Sequence, residues 1–192
     1  MKLCVIGIAA IVAATVLSGQ TRSEAFAPAL GRLEAMTNIP VTQWRAHADT
    51  PHGEDVGLDD SMWTSVTLTG GRAGNNAWYR TTLTVPPTAG GRDLRGARIR
   101  LKVGFSNDGR VFLNGVLIAQ GDNRALDPLP ITQKAAPGEK FLLAIRVPFH
   151  AETGRFQSAQ LLVDYPGQPD PGVVRNEILA AENVLRGFPD GQ

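Results

Sequence analysis

Apolar and polar residues alternate with a period of two along much of this chain. Tyr79, Thr81, Leu83 and Val85 fall on one face of an extended segment, and Arg80, Thr82 and Thr84 fall on the other. Ala97, Ile99, Leu101, Val103 and Phe105 alternate with Arg98, Arg100 and Lys102, which predicts a half-buried strand whose cationic face is in water. Residues 106–109, Ser-Asn-Asp-Gly, form a predicted turn, and Val111 and Leu113 then resume the inward face. Asn114-Gly115 signals a two-residue hairpin, with residues 116–119 as the return strand. The longest alternation runs through Phe141, Leu143, Ile145, Val147 and Phe149, and Ala159, Leu161, Val163 and Tyr165 repeat it. Earlier strands are predicted at 41–47, with Trp44 at the centre, and after the turn at Asp60-Ser61. A brief pairing is expected at 131–134. About eight or nine short antiparallel strands are expected, the spacing of a two-sheet sandwich.

The flanks read differently. Residues 26–36 are weakly amphipathic and predict a short helix before Pro40. Asp170-Pro171 supplies an N-cap acid and a proline at the first helical position. Val174, Ile178, Ala181 and Leu185 follow at helical spacing, and Gly187 is a stop. That apolar stripe needs a surface to cover, either the sandwich or a further domain. Residues 49–61 and 70–76 read as loops.

The N-terminus changes the picture of where the protein works. Lys2 precedes an apolar run from Leu3 to Leu17, the pattern of an export signal. Ser23-Glu24-Ala25 offers a cleavage site, with cleavage nearer Gly19 as an alternative, and an uncleaved anchor is the competing reading. Gln20 stands where a lipoprotein signal would need Cys, which argues against lipid anchoring. Cys4, inside this segment, is the only cysteine, so the mature chain has no disulfide, cysteine zinc site or thiol nucleophile. A bacterial periplasmic or secreted location is expected, with no membrane association after cleavage. The expected organisation is a signal peptide at 1–25, a linker or short helix at 26–39, a β-sandwich at 40–166 and a C-terminal helix at 167–192.

Lys+Arg number 19 and Asp+Glu 18, a balance that gives no sign of a nucleic-acid partner. The carboxylates Glu54, Asp55, Asp59 and Asp60 cluster in one polar loop, where solvated turns explain them better than an acid and base pair. His47, His52 and His150 show neither triad nor metal-site spacing. No phosphate-binding glycine loop is present and no cofactor is expected. Asp122 and Asn123 could join a structural calcium site, but no full series of oxygen ligands accompanies them. Carbohydrate is a better candidate ligand, because sugars are held by aromatic faces and by planar amide, carboxylate and guanidinium groups. Trp78, Arg80, Asn107, Asp108 and Asn114 supply those groups on or beside turns. Each also has a structural explanation: packing for Trp78, an acid from a neighbouring strand for Arg80, and turn chemistry for the asparagines and Asp108.

An ordered series of motifs carries a family resemblance. It comprises Asp60-Ser61-Met62-Trp63-Thr64-Ser65-Val66, Trp78-Tyr79-Arg80 with Val85-Pro86, Val111-Phe112-Leu113-Asn114-Gly115, and Pro137-Gly138-Glu139-Lys140-Phe141. Over roughly residues 40–166 the chain resembles the galactose-binding-like jelly-roll module of family 2 glycoside hydrolases. It resembles more closely the same module in exported bacterial α-mannosidase-like proteins of family 38. The resemblance implies an all-β accessory module beside a separate, zinc-dependent mannosidase domain whose sequence does not appear here. A fragment of a longer enzyme is therefore expected, with a stand-alone periplasmic carbohydrate- or protein-recognition module as the alternative. A free-standing hydrolase or lyase using the loop carboxylates, such as Asp59 and Asp60, is a third reading.

Overall fold

The computed structural model describes residues 22–68, 77–105, 108–122, 126–147 and 156–186. The export signal, Asn107, Asn123, His150 and Gly187 lie outside the described residues. Helix α1 (Arg22–Thr37) leads into β1 (Asn38–Pro40), β2 (Gln43–His47), β3 (Thr64–Thr67) and β4 (Trp78–Thr84). A small pair, β5 (Thr88–Ala89) and β6 (Arg92–Asp93), precedes β7 (Arg98–Phe105), β8 (Asp108–Leu113), β9 (Val116–Asp122) and β10 (Leu129–Thr132). The chain continues through β11 (Lys140–Arg146), β12 (Phe156–Asp164) and α2 (Pro171–Arg186).

The main strands form two antiparallel sheets, a four-stranded one ordered β1-β12-β7-β10 and a six-stranded one ordered β3-β2-β4-β11-β8-β9. Their inward residues make one core. Ile99, Leu101, Val103 and Leu161 come from the small sheet, and Trp44, Tyr79, Leu83, Val111, Leu143 and Ile145 from the large one. Phe156 of β12 ties the layers together, with its ring 4.7 Å from Trp44 and 5.0 Å from Tyr79. The expected all-β sandwich is what the alternation produces, because period-two burial on two sheets leaves each an apolar face to cover.

The predicted C-terminal stripe is only partly covered: Val174 and Ile178 are half-buried, and Ala181 is exposed. α2 packs against α1, and Arg175 lies 3.5 Å from Glu34 across the pair. Asp170 caps α2 as the sequence predicts: its Oδ1 accepts from Gly172 N at 2.7 Å, and its carbonyl accepts from Val174 N at 3.1 Å. α1 is tied to the sandwich by Tyr165, whose hydroxyl donates to Met36 O at 2.8 Å. No helix among the described residues is long and apolar enough to cross a membrane.

Candidate functional site

The large sheet has an unexpected second cover. A small apolar cluster of Trp63, Ala77, Trp78, Phe112 and Ala144, with Leu58 against it, sits on the sheet's outer face, opposite the main core. The lid over it is the polar loop at residues 48–61. That loop is folded locally by its own acids: Asp55 Oδ1 accepts from Gly57 N and Asp59 Oδ1 from Ser61 N, both at 2.9 Å. The bonds from Ser61 hold the Asp59 carboxyl below its usual range.

Strand register places the lid's anchors. Across the sheet, Arg45, Arg80, Ala144, Phe112 and Leu117 pair in succession to form one row. Two positions along each of the first four strands, His47, Trp78, Arg146 and Arg110 form a second row, continued by Gln120. The bulge between Val111 and Phe112 brings Leu117 opposite Phe112.

Arg80, in the first row, is 2% exposed. Its Nη1 donates to Gly53 O at 2.6 Å and Asp55 O at 2.8 Å, its Nη2 to Leu58 O at 3.5 Å, and its Nε to Asp60 Oδ2 at 3.0 Å. Arg80 therefore binds the loop. The acid partner is Asp60, from the loop rather than from a neighbouring strand. Trp78, in the second row, is also buried, with its Nε1 donating to Thr50 O at 3.0 Å. Gly53 lies against its indole so closely that a Cβ there would collide with the ring carbons.

Asn114 has a structural role too. It takes φ 50° and Gly115 takes φ 80°, the doubly left-handed form of a two-residue hairpin turn. Asn114 N donates to Leu142 O, and Asn114 Oδ1 accepts from Leu142 N, both at 2.8 Å, so the side chain continues the ladder to β11. Along β11 this is four residues from Trp78's partner Arg146, roughly 13 Å at the rise of a strand. Trp78, Arg80 and Asn114 thus do not converge on a single pocket.

Beside the lid the second row is open over Arg146 and Arg110. An open cleft of about 470 Å³ lies between the loop residues Asp49, His52 and Glu54 and the strand residues Arg110, Arg146 and Leu117, with Trp78 at its base. A smaller recess of about 220 Å³ shares Asp49, Arg110 and Arg146 and reaches Asp108. Arg146 Nη2 donates to Asp49 Oδ1 at 3.0 Å and Oδ2 at 3.3 Å, and its guanidinium lies 5.6 Å from the Trp78 ring centre. His52 Nδ1 lies 3.6 Å from Glu54 Oε1.

Of the sequence candidates, Trp78 and Asp108 border these clefts. Asp49, Arg110 and Arg146 were missed. Their signal was present as alternation, but only the register between strands distant in sequence brings them together. Among the described residues no three His, Cys, Asp or Glu side chains gather into a metal-binding group.

No protein-family model matches the chain, and no curated protein matches its sequence. Solved structures do share its architecture. A glycosyl hydrolase family 2 member from Bacteroides cellulosilyticus matches with TM-score 0.50 and 20% identity, over 68% of this chain and 21% of that one. A β-glycosidase from Bacteroides vulgatus matches with TM-score 0.50 and 18% identity, over 67% of this chain and 20% of that one. The sandwich is therefore built like one module of these enzymes, and the chain spans only about a fifth of their length.

Proposed function

We propose that this chain is a non-catalytic, carbohydrate-binding-like accessory module of an exported bacterial glycoside hydrolase, α-mannosidase-like in type, which works beside a catalytic domain. The observation that carries this reading is the shared fold, which spans two thirds of this chain but a fifth of each enzyme. The loop carboxylates add support. Asp60 is engaged by Arg80, Asp55 and Asp59 close turns, and Glu54 sits beside His52, so each has a structural partner. The α-mannosidase type and the export route rest on the sequence motifs and the N-terminal pattern.

The purified chain is to be tested on a glycan array and in parallel with chromogenic α-mannosides. Binding without turnover is expected. Mannoside hydrolysis by this chain alone would overturn the accessory reading. Sequencing beyond the Gln192 codon tests the partner: an in-frame catalytic domain is expected, and an immediate stop would favour the stand-alone module.

A further inference from the structure

The row that passes beneath the open cleft contains an electrostatic conflict. Arg146 and Arg110 stand directly opposite one another on β11 and β8, an arrangement of like charges that disfavours the sheet. Asp49 compensates Arg146. The Arg110 residue is exposed, and its guanidinium has no hydrogen bond or ion pair to another described residue. Asp108 lies two positions before it on the same strand, hence on the same face and roughly 7 Å away, and is likewise exposed, its carboxylate without a partner among the described residues. A planar donor and a planar acceptor thus face the same recess, each dependent on water or on a ligand.

We propose that the joined clefts over Arg110, Arg146, Asp49 and Asp108 form a subsite for an uncharged, hydroxyl-rich ligand, a neutral glycan segment. The proposal rests on the carbohydrate reading above and gives it a place and a ligand class. A sugar hydroxyl both donates and accepts, so a vicinal pair matches a guanidinium fork beside a carboxylate. The described lining supplies three carboxylates, Asp49, Glu54 and Asp108, against two guanidiniums, so an acidic ligand meets no excess of positive charge. Pro51 and the half-exposed Leu117 offer apolar wall for the C–H surface of a sugar ring. The larger cleft is about 470 Å³, and small-ligand sites span about 300–1,000 Å³. The aromatic candidate Trp78 acts from beneath, as a support for Arg146, because its ring is buried.

The test is calorimetric titration of the full chain with neutral manno-oligosaccharides and with an oligouronate of equal length, at low and high salt. The neutral ligand is expected to bind, with affinity flat across salt. Arg110→Ala and Asp108→Ala should each weaken it by about tenfold, the scale of one charge-assisted hydrogen bond, with no drop in the denaturation midpoint. Preference for the oligouronate, with binding lost at high salt, would overturn the ligand class. Undiminished neutral-glycan binding in both variants would overturn the location and leave the carbohydrate reading standing. Failure of the chain to bind any glycan on the array or in titration would overturn both.

Discussion

The outward faces of β7 and β4 carry the same kind of side chain in different surroundings. On β7 the outward cations Arg98 and Lys102 are exposed, and Arg100 meets Asp164 at 3.0 Å with both partners about one-third exposed. On β4 the outward Arg80 meets Asp60, also at 3.0 Å, but the arginine is 2% exposed and three loop carbonyls share its guanidinium. Distance does not separate these bridges; cover does. A loop that returns over the sheet turns an alternating strand into one buried on both faces, and it turns a surface ion pair into a structural anchor.

The largest expected effect breaks that anchor. Arg80→Ala should cost about 3 kcal/mol or more, because it leaves Asp60 and buried carbonyls without their donor. A urea midpoint would report the loss, and Trp63 and Trp78 fluorescence should shift to the red as the loop lifts. A change as small as that of an exposed pair would mean the loop is held by other contacts.

Gly53→Ala tests the cover from the other side. The new methyl would enter the Trp78 ring, and overpacking of this kind costs about 1–3 kcal/mol. Gly31→Ala in α1 is the control: a Cβ there meets nothing within 4 Å, and helix propensity predicts a gain of up to about 1 kcal/mol. Equal behaviour of the two variants in thermal denaturation would show that the loop yields at no cost.

Much of this architecture is legible in the sequence because it depends on near neighbours. β7 keeps its predicted alternation, Asn114-Gly115 makes its predicted turn, and Asp170 caps its predicted helix. What was not legible depends on pairing between distant segments. Phe112 reads as an outward residue beside Val111, and only the loop tens of residues earlier explains its burial. Arg110 and Arg146 become neighbours through the β8–β11 register. The polar composition of residues 48–61 suggested solvent exposure, yet its carbonyls and glycine are what Arg80 and Trp78 hold.

A third seal, intermediate in expected effect, joins α1 to the sandwich through the Tyr165 hydroxyl. Burial raises this phenol above its ordinary value of 10.0, and the nearby Arg92 opposes the shift. A raised folded value means the native state keeps its proton longer than the unfolded chain. The associated stability is therefore present below pH 10.0 and lost as pH rises through the folded value. Tyr165→Phe should cost about 1 kcal/mol near neutral pH and remove that alkaline decline. Stability measured by denaturant at several alkaline pH values checks the slope, and an unaltered slope in the variant would assign the decline to other groups.

The smallest effect belongs to the exposed bridge. Arg100→Ala should cost less than about 1 kcal/mol, since water already competes for both partners and holding two long side chains costs entropy. The difference from wild type should shrink further in high salt, where exposed pairs are screened, while the Arg80→Ala deficit should persist. Denaturation midpoints of both variants at two salt concentrations therefore separate the bridges by environment alone. A salt-resistant loss at Arg100 comparable to that at Arg80 would mean that the outward face of β7 has a cover of its own.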